Sequence, residues 1–441
     1  MARIVEIDLS EYAKLPNPGL RSYLGHLEKG QPDVYTTPFF KNETFSGLAE
    51  RWLRRLATLK PDQKMPGLMK IEEEQAKKVG PYSVIPPASK RMESVMNFWT
   101  MIDSKGKPIR ADAIAMTKHL FNPGQLNLWS EDRVYGKMRL NTSSGLPYYE
   151  KRRKAKGKPQ AGYPFMAVWG TRVQPGGPSV SDEKVRDVMM MPMNLNVEES
   201  KWYYPLLEFE QQNALPFAVN TLRWTEEMVT KLFDSKESEQ PVVNTDFSKF
   251  DQHFGPPMQE AALDITRYAF SRSAHAHIEK YFPIKYNIPL LISENKAITG
   301  NHGMGSGSTG TNPDENLSHK ALQYEAAIEA DEELNPYSMV LGDDGILTYK
   351  NIDVSQVIST YSSHGMDMNQ SKQYVDPHST YFLQRYYHDS YRDEKGVMLG
   401  VYSTERALGR LKGQERFYDP DKWSSTNVEL RALQIIENTN N

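Results

Sequence analysis

The chain has no cysteine, which removes disulfides and thiolate-bound metals from consideration and suits a reducing compartment. No apolar run approaches the ~18 residues of a membrane-crossing helix. The first residues, Met1 to Asp8, acquire acidic side chains too early for a secretory leader. The expectation is a soluble intracellular protein with no membrane partner. A large net charge is missing too: 53 Lys and Arg stand against 56 Asp and Glu, a formal charge of −3. Any nucleic acid must therefore meet a local basic channel on an acidic body, not a basic coat. There is no internal repeat and no low-complexity tract, which sets repeat architectures aside. What remains is 441 residues with 39% hydrophobic and 25% charged side chains, enough for two or three domains or one large multi-lobed enzyme.

The stretch that organises the rest is Met339–Thr348. Apolar residues on both sides of Gly342-Asp343-Asp344-Gly345 spell two short strands joined by a tight hairpin, with two carboxylates at its tip. Buried carboxylates cost several kcal/mol unless a cation answers them. Taken alone, the tetrad is more often a surface Asp-Gly turn, and the rest of the chain decides.

In chain order, residues 1–45 carry scattered Pro and Gly and read as an irregular arm. Leu48, Trp52, Leu56 and Leu59 share a helical face, with Arg51, Arg54 and Arg55 off it. Residues 60–140 mix short helical patterns with proline breaks. The turn Asn141–Pro147 is rich in hydroxyls and is followed by nine cations between 151 and 186, interleaved with Tyr163, Phe165 and Trp169. A run of that density in an acidic protein suits a phosphate-binding lining, although a solvated loop has the same composition.

A helix is expected from a Thr225 cap, with Glu226 and Glu227 in its first turn, to the polar linker after Ser235. Pro241–Asp246 reads as a strand that delivers Asp246 at its end. Pro256-Pro257 opens a helix with Met258, Ala262, Ile265 and Ala269 on one face, and 275–300 reads as short strands or an excursion. His275 and His277 form a lone His-x-His, a surface feature without further ligands. Gly303–Gly307 reads as a flexible loop before a helix capped by Asn312 and begun by Pro313. Asp353 caps a helix that stops near Gly365, Lys372 follows, Tyr381–Tyr387 reads as one strand, and a last helix spans about 428–437.

If the strands ending at Asp246 and at the hairpin are neighbours, Asp246, Asp343 and Asp344 converge with no nearby cation in sequence. Hard oxygens at that density suit Mg²⁺ or Mn²⁺. Two ions about 3.5–4 Å apart would clamp an in-line phosphoryl displacement. Lys372 is the candidate general acid for the pyrophosphate leaving group, and His364 the weaker one. Asp251, Ser306 and Asn312 offer polar groups for a ribose 2′-hydroxyl, whereas a DNA-making site wants a bulky apolar residue near 251.

Asp246-x4-Asp251, Ser306-Gly307-x3-Thr311-Asn312 and Gly342-Asp343-Asp344 resemble, in order and spacing, motifs A, B and C of viral RNA-dependent RNA polymerases. Thr142–Pro147 looks like motif G, Arg172 through Lys184-x-Arg186 like motif F, Asn369-x-x-Lys372 like motif D, and Phe382–Arg385 like motif E. The phrase Asp246–Phe254 is most similar to picobirnavirus polymerases and, more distantly, to those of partitiviruses.

The resemblance implies an α+β fold: a closed right hand with an antiparallel palm sheet flanked by helices. Residues 1–235 would form the fingers and N-terminal arm, with a basic channel about 141–186. The palm would take 236–388, with a fingers excursion about 255–300, leaving 389–441 as a thumb that is small for the family. It implies RNA-directed RNA synthesis with two Mg²⁺ or Mn²⁺ ions on Asp246, Asp343 and Asp344. Asp251, Ser306, Gly307, Thr311, Asn312, Arg172, Lys184 and Arg186 would bind nucleoside triphosphate. Ser143, Ser144, Gly145, Pro147, Lys151, Arg152, Arg153, Gln384 and Arg385 would contact template and nascent RNA. A viral capsid protein is a further expected partner, and the virion interior and host cytoplasm the expected location. The rival readings are a catalytically silent RNA-binding protein on the same fold and a reverse transcriptase or other two-metal phosphotransferase.

Overall fold

The computed structural model describes residues 2–102, 106–159 and 162–436. Its strands are β1 (Arg3–Glu6), β2 (Ala167–Gln174), β3 (Lys184–Met190), β4 (Val242–Thr245), β5 (Leu290–Ser293) and β6 (Lys296–Thr299). The second half adds β7 (Met339–Leu341), β8 (Asp344–Leu347), β9 (Tyr374–Asp376), β10 (Ser379–Phe382), β11 (Arg385–His388) and β12 (Val401–Tyr402).

The sheet that matters for function is the antiparallel β7-β8-β4-β9. Every residue of β4 is buried, because the strand is covered on both faces and paired on both edges. Helices Pro256–Ala269 and Thr311–Glu329 pack on it through a core that includes Met258, Ile265, Leu317 and Ala321. Phe247 stacks on Tyr361 at 5.8 Å and meets Phe250 edge-on at 4.7 Å, fixing the chain just past β4.

A second sheet, β1-β6-β5-β2-β3, carries its own core of Leu20, Leu24, Phe98, Trp169, Leu291 and Ile298. A third, β10-β11-β12, lies near the chain's end. The two ends of the chain meet. Glu72, on helix Leu68–Ala76, accepts hydrogen bonds from the Ser403 and Thr404 hydroxyls and from the Thr404 and Glu405 amides, at 2.9–3.1 Å. Those donors open helix Thr404–Lys412, so the N-terminal segment closes over the C-terminal one.

Several local expectations are revised. The N-terminal arm is not irregular throughout: Asn17 caps helix Pro18–Lys29, with its oxygen 3.0 Å from the Leu20 amide, and β1 pairs with β6. Thr221, not Thr225, caps helix Leu222–Ser235. Residues before Leu290 form helix Arg272–Tyr281 instead of strand, and helix Thr311–Glu329 starts one residue before Asn312. Tyr381–Tyr387 is not one strand but the hairpin of β10 and β11. Leu383 and Gln384 turn at φ +50° and +65°, the positive pair that a two-residue hairpin demands. The Gly303–Gly307 segment is packed, not flexible, since a Cβ at Gly307 would lie 1.9 Å from the Met189 carbonyl oxygen.

Candidate active site

The β7–β8 turn is held from beneath by helix Thr311–Glu329. The Gly342 amide donates to Asn316 Oδ1 at 2.7 Å, and His319 Nδ1 lies 2.9 Å from the Gly342 carbonyl oxygen. Burial pushes the His319 imidazole down to about 4, so it is neutral and donates to that carbonyl. Gly342 adopts φ +63°, and a Cβ at Gly345 would come within 2.6 Å of the His319 ring and the Thr245 hydroxyl. Glycine is required at both points.

The strand register places Thr245 opposite Gly345, so Asp246 emerges beside Asp344, with Asp343 at the adjoining turn. Gln373 fixes the Asp246 peptide: its Oε1 accepts from the Asp246 amide and its Nε2 donates to the Asp246 carbonyl, both at 2.9 Å. Asp246 and Asp343 line one cavity of about 490 Å³, together with Lys184, Arg186, Lys249, Asp251 and Lys372. The two segments, nearly a hundred positions apart, thus share one space.

All three carboxylates are displaced toward the protonated form. Burial raises Asp246, against the opposing fields of Lys372, Lys184 and Lys78. Burial also raises Asp343, against Arg186, whose Nη2 lies 3.7 Å from its Oδ2. Asp344 is pushed up to about 7 by burial and then by Asp343 and Asp246. Among the described residues no hydrogen bond reaches the carboxyl of Asp246 or Asp344. An all-oxygen, undercompensated set of this kind fits a hard divalent cation. No three His, Asp or Glu among the described residues are closed up enough to hold one alone.

Facing the carboxylates is the β2–β3 hairpin. Arg172 is paired directly with Arg186, and Gln174 with Lys184, all on one face. Like charges directly opposite on a ladder repel, and an anion on this face would relieve that repulsion. Its back is anchored by a buried pair: Arg91 Nη1 lies 2.6 Å from Asp187 Oδ1, and Trp169 Nε1 donates to the same oxygen at 2.8 Å.

The second cavity, about 450 Å³, includes Arg172, Arg186, Asp251, Ser306, Thr311, Asn312, Glu315 and Asp343 in its walls. Ser306 Oγ donates to Asp251, and the Met304 amide donates to the Asp251 carbonyl at 2.7 Å. Glu315 was not anticipated from the sequence. Burial holds its carboxyl well above the ordinary range, with Asp251 and Asp343 adding to the shift, so it is a proton-bearing partner of Asp251. Its four-residue spacing from Thr311 on one helix was the only signal available. Gly307 stays within the loop that carries Ser306, while Thr311 Oγ1 donates to the Ser308 carbonyl at 3.1 Å.

Other candidates separate cleanly. Lys372 lines the carboxylate cavity, whereas His364 is buried between Glu325, at 3.0 Å, and the Lys107 carbonyl, which removes it as an acid. His277 turns to Glu198 and His275 to backbone carbonyls, so the pair forms no metal site. Ser143, Lys151 and Lys154 line a shallow open groove with Tyr149. Ser144 is buried, Gly145 and Pro147 complete the same turn, and Arg152 donates to the Ser143 carbonyl at 3.2 Å, leaving Arg153 exposed. Gln384 faces a third cavity, while Arg385 is buried and donates to the Gly400 carbonyl at 2.9 Å.

Comparison with known proteins agrees with this geometry. The family model for viral RNA-dependent RNA polymerase matches residues 178–397. A potential RNA-dependent RNA polymerase of a human picobirnavirus (strain Human/Thailand/Hy005102/-) is 41% identical over 448 residues, spanning 97% of this chain and 83% of the relative. The crystal structure of a human picobirnavirus RNA-dependent RNA polymerase superposes with a TM-score of 0.94 at 41% identity, covering 98% of this chain and 86% of that one. The insertion-loop deletion mutant of a human picobirnavirus polymerase gives the same TM-score and identity, with 88% of its chain covered. The chain belongs to the viral RNA-dependent RNA polymerases, and within them it is of the picobirnavirus kind.

Proposed function

We propose that this polymerase extends RNA by a two-metal mechanism, replicating and transcribing a double-stranded RNA viral genome. The observation that carries the reading is the single cavity walled by Asp246, Asp343, Lys184, Arg186 and Lys372. Asp246 and Asp343, with Asp344 behind them, would hold two divalent ions, which lower the pKa of the attacking 3′-hydroxyl and neutralise the leaving pyrophosphate. Arg172, Lys184 and Arg186 orient the triphosphate, because their shared face presents fixed donors to it. Lys372 protonates the pyrophosphate as it leaves. Asp251, held by Ser306, reads the ribose 2′-hydroxyl, with Glu315 behind it and Thr311 and Asn312 on the same wall.

In this reading β4, β7, β8 and β9 are the core of a palm over 236–388, with fingers in 1–235 and near 255–300, and a small thumb after 389. The groove at Ser143 and Lys151, with Arg152 and Arg153, guides template, and Gln384 meets the nascent strand. Work inside a virion in the host cytoplasm, beside a capsid protein, completes the proposal. The test is primed and unprimed extension on homopolymer templates with Mg²⁺ or Mn²⁺. Incorporation confined to the complementary ribonucleotide and dependent on the ion is expected. Tight RNA binding without templated incorporation would overturn the reading.

A further inference from the structure

His364, at the end of helix Val354–Ser363, is a buried titratable side chain that the proposed chemistry leaves unused. Its Nδ1 lies 2.6 Å from the Lys107 carbonyl oxygen and its Nε2 3.0 Å from Glu325 Oε1. A carbonyl oxygen only accepts, and so does an ionised carboxylate. Glu325 keeps its charge because its second oxygen accepts from the Arg110 amide at 2.8 Å. Both ring nitrogens therefore donate, and the ring is an imidazolium. Burial opposes that charge, but Glu325 and the Lys107 carbonyl outweigh it and hold the ring above its ordinary value. The charged residues around it are Glu325 and Glu329 from helix Thr311–Glu329, and Lys107 and Arg110 from 106–110, with Asp112 paired to Arg110.

Three segments meet at this ring. The Lys107 amide donates to the Ser363 carbonyl at 2.9 Å, and a Cβ on Gly106 would lie 2.8 Å from the His364 carbonyl oxygen. Beyond His364 the chain doubles back along its own helix. The Ser248 amide donates to the Asp367 carbonyl at 2.9 Å, Phe247 pairs with Met368, and Gln370 Nε2 donates to Ser355 Oγ at 3.3 Å. The run ends at Lys372, on the wall of the carboxylate cavity, and at Gln373, clamped to the Asp246 peptide. Its far end is thus fixed by Gln373 and its near end by His364, with Lys372 carried between them.

We propose that the charged ring of His364 is a positioning residue for polymerisation, holding the run 365–373 so that Lys372 meets the leaving pyrophosphate. The part played by Lys372 rests on the function proposed above. His364 touches no substrate and passes no proton itself. The ring binds its proton more tightly in the folded chain than in the unfolded one. The tie to Glu325 is therefore complete below the ordinary imidazole range and is lost as pH rises through the raised value.

The test is single-nucleotide extension on a primed template from pH 6.5 to 9, with kcat, KM and the melting temperature followed together. His364→Gln keeps a donor but carries no charge. At pH 6.5 it should lower kcat about tenfold, the scale of one charged hydrogen bond, and leave KM for the nucleotide within about twofold. The ratio of parent to variant should shrink toward one as pH approaches 9, because the parent then loses the same charge. In a Lys372→Ala background His364→Gln should cost less than about twofold, since residues that act through one step are not additive. Spectra of [¹⁵N]histidine-labelled parent should show a ring protonated on both nitrogens at pH 6.5 that is missing from His364→Gln.

A loss equal at every pH, or one that adds in full to Lys372→Ala, would make His364 an anchor of the fold alone and overturn the proposal. A singly protonated ring in the parent would do the same. Where His364→Gln does not fold, Glu325→Gln removes the charge from the other side and carries the same comparisons. Full extension by Lys372→Ala alone would remove the acid assigned above and this role with it, whereas additive losses remove only the role of His364.

Discussion

Asp314 and Glu315 are neighbours on helix Thr311–Glu329, both buried, yet they enter opposite kinds of surroundings. Asp314 is answered completely. Lys285 Nζ stands 3.0 Å from its Oδ2, while the Tyr203 and Tyr286 hydroxyls donate to it at 2.6 and 2.7 Å. Glu199, 4.0 Å from the same lysine, accepts from the Ser308 hydroxyl at 2.8 Å and the Thr309 amide at 3.1 Å. Glu315 instead faces Asp251 and Asp343, and among the described residues no cation forms an ion pair with it. Matched buried charge makes a rigid scaffold, here under the loop that carries Ser306. Mismatched buried charge makes a place that a ligand must complete.

The widest gap between the two regions should come from removing one acid on the unmatched side. Asp343→Ala is expected to lower templated extension at least about a thousandfold, the upper scale for losing one electrostatic contact to a transition state. It should leave RNA binding nearly intact and should not lower the melting temperature without metal, because it relieves repulsion at Asp344 and Asp246. Wild-type extension, or a collapsed melting curve, would erase the distinction.

Removing the cation on the matched side should do the reverse. Lys285→Met leaves Glu199 and Asp314 buried together, and a broken buried pair costs about 3–5 kcal/mol. Glu199 is already pushed up to about 7 by burial, with Lys285 opposing that rise. Without the lysine Glu199 holds its proton more tightly in the folded chain, so the stability deficit should grow as pH rises and shrink near pH 5. Thermal melts across that range decide it; a pH-independent deficit would mean lost packing, not lost charge.

Asp344 sharpens the comparison at smaller scale. Its folded value, about 7, lies above the ordinary carboxylate value, so between the two the folded chain keeps a proton that the unfolded chain has lost. Stability of the metal-free chain therefore falls as pH rises toward 7 and levels off above it. Asp344→Asn should remove that slope and raise the melting temperature at pH 8 by roughly 2 °C or more, since 1 kcal/mol shifts a sizeable domain by about that much. Added Mg²⁺ should stabilise the parent more than the variant, and equal shifts would remove Asp344 from the ion's surroundings.

The unmatched region was the more legible in sequence. Its strands are short, apolar and punctuated by Gly and Asp, so the hairpin at Gly342 and the end of β4 could be read locally. The matched region was not. Helix Met193–Gln212 buries Asn196, Glu199, Ser200 and Glu210 alongside Leu195 and Leu206, and a helix buried on most sides loses the apolar stripe that announces it. Pairing Lys285 with Asp314, or Arg91 with Asp187, is a choice made by tertiary packing, with no trace at either position alone. Leu383 and Gln384 turn a hairpin without the Gly or Asn that marks such turns. Asn17-Pro18 did carry a helix-start signature, masked by the prolines and glycines around it.

The smallest expected effect lies where the two regions touch. Asp251 is held by Ser306 on one side and Glu315 on the other, so under the proposed function a ribose hydroxyl entering there would replace a contact inside an existing acid pair. Asp251→Ala removes the acceptor and should cut the preference for ribo- over deoxyribonucleotides by about tenfold or more, because a site that reads a hydroxyl discriminates through the polar groups its absence leaves unpaired. Glu315→Gln keeps the shape and a donor toward Asp251 while removing the titratable proton. Its effect on that preference should be less than about tenfold, at the level of one hydrogen bond to a charged group. Paired incorporation assays with ribo- and deoxyribonucleoside triphosphates measure both. If Glu315→Gln matched or exceeded Asp251→Ala, the buried glutamate would be the primary reader and Asp251 its support, and the line between scaffold and site would pass between residues 314 and 315.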